Sequence, residues 1–155
     1  MTSARVHSHQ AWSEAAGVIM AARPDGRRAG REPDEPGPGQ QVAYYVARDA
    51  GQVPLAFAAV ALFGQFAVLI NLLSHPGRPP LSSWARYQLH TCLALDLGRT
   101  GVRHLLVGSA LRETAGNQHF QHLLGYRACN LHVEVTDPGA LLAGPASGRF
   151  RTRQA

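Results

Sequence analysis

The sequence predicts an α/β (α+β) domain, a mixed central sheet flanked by helices, and three observations carry that expectation. Apolar residues from Val42 onward change period repeatedly, reading strand, paired strands, helix, strand, helix, strand. The longest apolar run, Val53–Leu73, is interrupted by Phe63-Gly64-Gln65-Phe66, a tight-turn signature. The stretch Phe120-Gln121-His122-Leu123-Leu124-Gly125-Tyr126-Arg127 reads as a short helix stopped by glycine and running into a strand. A chain of 155 residues holds one such domain with a single core.

Taken in order, Ala11–Ala22 places Trp12, Ala15, Ala16, Ile19 and Met20 at helical spacing, so residues 1–22 are expected to contribute one short amphipathic helix. Residues 23–41 are rich in Pro, Gly and charge, the composition of a flexible linker. Val42–Arg48 reads as a strand, and Asp49-Ala50-Gly51 as the turn after it. Val53–Leu73 matches the roughly 20 apolar residues of a membrane-spanning helix in length. The competing reading is a hairpin of Leu55–Phe63 and Phe66–Leu73, with Gly64 in the first central position of a type II′ turn. Because the following elements need a sheet to pack on, the hairpin is preferred. His75–Pro80 carries three prolines and cannot be helical. Ser82 or Ser83 then offers an N-cap to a helix ending near Arg99, with Trp84, Tyr87, Leu89, Leu93 and Leu97 on its apolar face. Val102–Val107 is a short buried strand, Asn117–Leu124 a helix, and Ala128–Val135 a strand. The domain therefore covers residues 42–135, and residues 136–155, which lose periodicity, read as a disordered tail.

All 15 basic side chains are arginine, and the formal net charge of +5 falls entirely after Gln52. Guanidinium groups match phosphate oxygens, and a GC-rich coding sequence gives the same composition. No stripe of arginine interleaved with aromatics points to nucleic acid. Cys92 and Cys129 lack zinc-ligand spacing and sit among apolar neighbours, which reads as buried, reduced thiols. With no basic-then-apolar leader, a cytoplasmic location is the expectation.

The element order over residues 42–135 resembles the GNAT superfamily of acyl-CoA-dependent N-acyltransferases. Phe120–Tyr126 is similar to that family's helix ending in leucine-glycine-aromatic, and Thr100-Gly101-Val102-Arg103 with its strand is the next best match. The resemblance implies transfer of an acetyl group from acetyl-CoA to an amine on a small molecule or a protein, with neither a nucleic acid nor a membrane as partner; a homodimer is compatible with it. It also implies a phosphate loop of the pattern Arg/Gln-x-x-Gly-x-Gly or Ala, whose backbone N–H groups close on the cofactor's pyrophosphate. Here that stretch reads Leu81-Ser82-Ser83-Trp84-Ala85-Arg86, without the glycines. The cofactor-binding residues the resemblance then points to are Gly77, Arg78, Ser82, Ser83 and Arg86. Many members place a tyrosine acid four residues before the helix-ending glycine; that position is Gln121, which has no titrating proton. The family's first strand, paired N-terminal helices and final strand have no counterpart in this reading, and the catalytic residues stay unassigned. Two alternatives remain open: a non-catalytic GNAT-like module that binds a ligand or partner, and a single-span membrane protein.

Other constellations are weaker. His119 and His122 lie three apart on one helix but lack a third ligand in the sequence, so no metal is expected. His75 and His90 are candidate bases for an amine. Ser109, Glu113 and Glu134 have no visible partners for a nucleophilic triad.

Overall fold

The computed structural model describes residues 1–23, 41–108, 114–134 and 149–153. It divides into two units, Met1–Leu106 and Val107–Ala155. In the first unit the elements run β1 (Thr2–Val6), α1 (His9–Ala21), β2 (Gln41–Arg48), β3 (Pro54–Phe63), β4 (Phe66–Ser74), α2 (Leu81–Arg99) and β5 (His104–Leu106). The strands form one sheet in the order β1-β2-β3-β4-β5. Neighbours are antiparallel up to β4, and β4 pairs with β5 in parallel. A parallel neighbour needs a crossover, and α2 supplies it.

The hairpin follows from its turn. Phe63 pairs with Phe66, Gly64 has φ +61°, and Gln65 keeps an ordinary negative φ, the combination of a type II′ turn. Val53–Leu73 is thus two strands and not a spanning helix. Among the described residues no helix is long and apolar enough to cross a membrane.

β3 is the centre of the sheet and is buried on both faces. One face carries Ala56, Ala58 and Val60 with Tyr45, Ala43, Ala47 and Ala67, covered by Ala85, Leu89, Leu93 and Leu97 of α2. The other carries Phe57 and Ala59 with Tyr44 and Val46, covered by Trp12, Ala15, Ala16 and Ile19 of α1. Alanines on β3 and β2 leave room for the helices to approach closely. Trp12 uses that room: its ring lies edge-on to Phe57 at 5.2 Å, and its indole N–H donates to the Ala58 carbonyl at 3.0 Å.

Several expectations need correcting. Thr2–Val6 forms β1 against β2, so the N-terminal part contributes a strand as well as a helix. The strand is short and alternates polar with apolar residues, too little pattern to stand out. Ser82 and Ser83 do not cap α2; Pro80 is the N-cap and makes no side-chain bond, while Ser82 is buried inside the first turn. Trp84 does not join the apolar face and is 66% exposed. Met20 is only half-buried. β5 is shorter than the expected strand, and its residues are exposed or half-buried. Beyond those expectations, Tyr44 and Tyr45 are buried on opposite faces of the sheet. The expected linker falls almost wholly outside the described residues.

In the second unit, α3 (Ala115–Leu123) begins with Thr114, whose side chain accepts from the Asn117 amide. It ends at Gly125, φ +78°, with the Tyr126 amide bonded back to the Gln121 carbonyl at 3.0 Å. β6 (Asn130–Glu134) pairs antiparallel with β7 (Arg149–Arg153), so a strand lies within the expected tail.

Packing at the α2 face sets one expected outcome. Leu93→Ala removes a side chain that is 0% exposed and should cost about 2–5 kcal/mol in urea unfolding. Leu95→Ala, on the same helix but 61% exposed, should stay within about 0.5 kcal/mol of wild type.

Candidate functional site

β4 and β5 pair over three positions only, Phe66–His104, Ala67–Leu105 and Val68–Leu106. β4 continues for six more residues, Leu69–Ser74, bonded to β3 on one side. Among the described residues no strand pairs with that stretch on the other side. The same stretch holds an irregularity: Val60 faces Leu69 and Ala59 faces Asn71, which leaves Ile70 as the extra residue of a bulge. A bulge turns main-chain groups out of the ladder. The result is an open, kinked strand edge whose amides and carbonyls can bond an extended ligand, as in strand addition.

At the C-terminal end of this edge stands the loop 75–80, tied down at its start by the His75 amide on the Leu55 carbonyl at 2.8 Å. The expected cofactor residues lie on this loop and in the first turns of α2, yet most of their donors are engaged. The Gly77 amide donates to His75 Nδ1 at 3.1 Å. A Cβ at Gly77 would meet only the His75 ring, at 3.4 Å, so nothing here reserves space against the backbone. The Ser82 amide bonds the Arg78 carbonyl at 2.9 Å, and the Ser83 and Trp84 amides bond the Pro80 carbonyl at 3.0 and 3.1 Å. An anion nest needs such amides unspent. Arg78 is exposed, and its guanidinium pairs with Asp49 at 2.7 Å. The Val53 amide, chiefly, and also Arg78 hold the Asp49 carboxyl below its usual range. Ser83 is exposed, Arg86 half-buried and Ser82 buried, so the five residues share one region without forming a preformed cradle.

A polar cluster that the sequence does not reveal lies on the α2 face. Tyr45 donates its hydroxyl to Asp96 at 2.7 Å, and Arg5 reaches the same carboxylate oxygen at 3.5 Å. Burial first, then Asp96, pushes the Tyr45 phenol well above its ordinary value. Cys92, one turn before Asp96, has its thiol at 3.5 Å from the Ser3 carbonyl and is pushed up by burial and by Asp96. These contacts join groups of β1, β2 and α2, so the cluster ties the three elements together. Only Asp96, an isolated acid in an apolar helix, hinted at it. Cys129, expected to be buried, is exposed.

His90, a candidate base, is 2% exposed among the leucines of α2. Burial, followed by the charge of Arg86, lowers it to about 4. It is neutral at physiological pH but has no path to a substrate. In the second unit, Gln121 donates its side-chain amide to the Val107 carbonyl at 2.8 Å. Tyr126 is half-buried, and burial pushes its phenol up to about 12. His119 and His122 are exposed, and among the described residues no group of three His, Cys, Asp or Glu could hold a metal. Ser109 and Glu113 lie outside the described residues.

No protein-family model and no curated protein matches the sequence. Solved structures do match the fold. The ribosomal-protein-S18-alanine N-acetyltransferase from Escherichia coli superposes with a TM-score of 0.62 at 16% identity, covering 97% of this chain and 92% of that one. A tandem GNAT protein from the clavulanic acid biosynthesis pathway gives 0.64 at 15% identity, covering 85% of this chain and 46% of that one, so this chain spans about half of it. An aminoglycoside N-acetyltransferase in complex with CoA gives 0.56 at 14% identity, covering 82% and 92%. The fold is that of the GNAT superfamily, as the element order implied.

The depressed His90 sets a pH dependence. Its folded value, about 4, lies below the roughly 6.5 of an unfolded histidine, so the unfolded chain takes up the proton first. Stability is therefore complete above about pH 6.5 and falls as the pH drops to 4, by about 3 kcal/mol for this group. Urea unfolding of His90→Gln across that window should show a shallower acid loss than wild type; equal slopes would remove His90 as the cause.

Proposed function

We propose that this GNAT-fold chain is an acyl-CoA-dependent N-acyltransferase that takes an acetyl group from acetyl-CoA to a primary amine. The observation that carries the reading is the parting of β4 from β5 after Val68 and Leu106, with the bulge at Ile70 on the freed edge. That edge suits the pantetheine arm, which carries amides spaced along an extended chain and can bond a strand's main chain. Acetyl-CoA would supply the acyl group already activated as a thioester. The chain's own part is to hold the arm along Leu69–Ser74 and to offer charge at its end.

The phosphate end is the weaker fit. The amides of Gly77, Ser82 and Ser83 are engaged by the loop itself, so binding there would rest on Arg78 and the hydroxyl of Ser83, with Arg86 behind them. Arg78 would exchange Asp49 for phosphate, a stronger and bidentate partner. The acceptor is an amine on a small molecule or a protein. Free Cys92 and Cys129 accord with a reducing compartment, which supports a cytoplasmic location.

A second reading is favoured by Gln121. Where many relatives of this fold place a proton donor, this side chain is bonded to the Val107 carbonyl and has no proton to give. A missing general acid costs about 10²–10⁴ in rate. A ligand-binding module that no longer transfers the acyl group accords with that loss.

Binding and turnover separate the two. At 100 times its Kd, CoA should add about 2.7 kcal/mol of stability, read as an upward shift in melting temperature. Arg78→Ala should weaken CoA binding several-fold if the guanidinium takes phosphate, whereas Arg86→Ala should matter less. Release of CoA from acetyl-CoA, followed by chromatography over a panel of amines, supports the acyltransferase; binding without release supports the module. No shift with millimolar CoA or acetyl-CoA would sink the acyl-CoA reading and leave only a module for some other ligand or partner.

A further inference from the structure

Trp84 is the most exposed large apolar side chain in the described structure, at 66%, and it sits in the first turn of the helix that follows the loop. Leu81, three residues earlier and 41% exposed, lies on the same side of the helix. Gln88, one turn later, is exposed on that side too. Arg78, also exposed, belongs to the loop that joins the end of β4 to this helix, and its guanidinium pairs with Asp49. A flat aromatic ring, an apolar flank, a side-chain amide and a guanidinium are the chemistry that takes an adenine nucleotide.

We propose that Trp84 is the stacking platform for the adenine of the CoA-type ligand, with Gln88 reading the base edge and Arg78 meeting the phosphates; this rests on the acyl-CoA reading. The direction of the chain supplies the occupant. β4 rises about 3.3 Å per residue, so Leu69–Ser74 offers about 20 Å of open edge that ends at the loop. An arm laid on that edge with its thioester at the bulge delivers its phosphates to Arg78 and its nucleoside to the first turn of α2. Stacking on an indole face needs no glycine nest, so the site replaces oriented amides with a base platform. The same change would account for a tryptophan at the position where a close phosphate approach needs a small residue, since the exposed ring offers a platform where the amides are engaged.

Calorimetry with CoA, 3′,5′-ADP and 4′-phosphopantetheine on wild type, Trp84→Ala and Trp84→Phe tests this. Trp84→Ala should weaken CoA and 3′,5′-ADP about 5- to 150-fold, the range that one stacked base spans. It should leave 4′-phosphopantetheine, which has no base, unchanged, and Trp84→Phe should restore most of the loss. Because Trp12 is 1% exposed, the solvent-exposed tryptophan emission belongs to Trp84, and CoA should quench it in wild type. Equal CoA affinity in wild type and Trp84→Ala overturns the platform and leaves the acyl-CoA reading standing. No CoA binding to wild type overturns both. A dimer that Trp84→Ala dissolves would assign this face to a second copy of the chain and overturn the nucleotide subsite.

Discussion

The two-sided burial of β3 is the constraint on which the rest of the first unit depends. A strand in the middle of a sheet, with helices on both faces, cannot carry polar side chains, and bulky ones on both faces would hold the helices apart. The chain meets this with alanine at 56, 58 and 59 and takes much of the volume from the helices: Trp12 and Ile19 above, Leu89, Leu93 and Leu97 below. Because α2 is pressed against the sheet at that spacing, its N-terminus is fixed at the end of β4. Its C-terminus is fixed where Val102 turns back to β5, the Val102 amide closing on the Leu97 carbonyl at 3.1 Å. The crossover then returns β5 parallel to β4 but only briefly, and the open edge of β4 is a consequence of that geometry. A site-like feature thus arises from packing alone, before any side chain is placed for chemistry.

What was legible in the sequence was whatever the backbone dictates locally. Gly64 announces the hairpin because few other residues adopt φ +61° at little cost, and the structure bends there. Gly101 and Gly125 announce helix ends for the same reason. The i, i+4 leucines of α2 announce its buried face. What stayed hidden depends on distant partners. β1 has five residues and weak alternation, and only its pairing with β2 makes it a strand. Arg5, Tyr45 and Asp96 are separated by 40 to 91 residues and meet only in the fold. Hydrophobicity alone puts Trp84 on the core face, whereas the helix phase set by Leu89, Leu93 and Leu97 turns position 84 outward; the leucines fill the face, and the indole is left in solvent.

The candidate site was legible as a region and not as a set of contacts. Loop 75–80 could be located from its prolines, but which donors it leaves free could not, because that depends on bonds the loop makes to itself. Ser82 and Ser83 look like caps in the sequence; in the structure Pro80 takes the cap position and their amides are drawn to the Arg78 and Pro80 carbonyls. A phosphate site built on such amides would have to break those bonds first. On the proposed reading, binding energy would come from exposed groups rather than from the backbone, chiefly Arg78 and Trp84.

The helix ending at Gly125 shows why a fold signature and an activity can separate. Its glycine is required by φ +78°, and the Tyr126 amide must reach the Gln121 carbonyl to close the helix end. Those demands fall on the main chain and are indifferent to the side chain at position 121. In this protein that side chain has been given to structure as well: its amide holds the Val107 carbonyl, tying the start of the second unit to α3. An amide makes that tether at any pH, whereas a group able to surrender a proton would make it only in one state. The position thus favours a constant architecture over proton transfer. Any acyl transfer here must work with an acceptor or leaving group that tolerates the absence of an acid at this point.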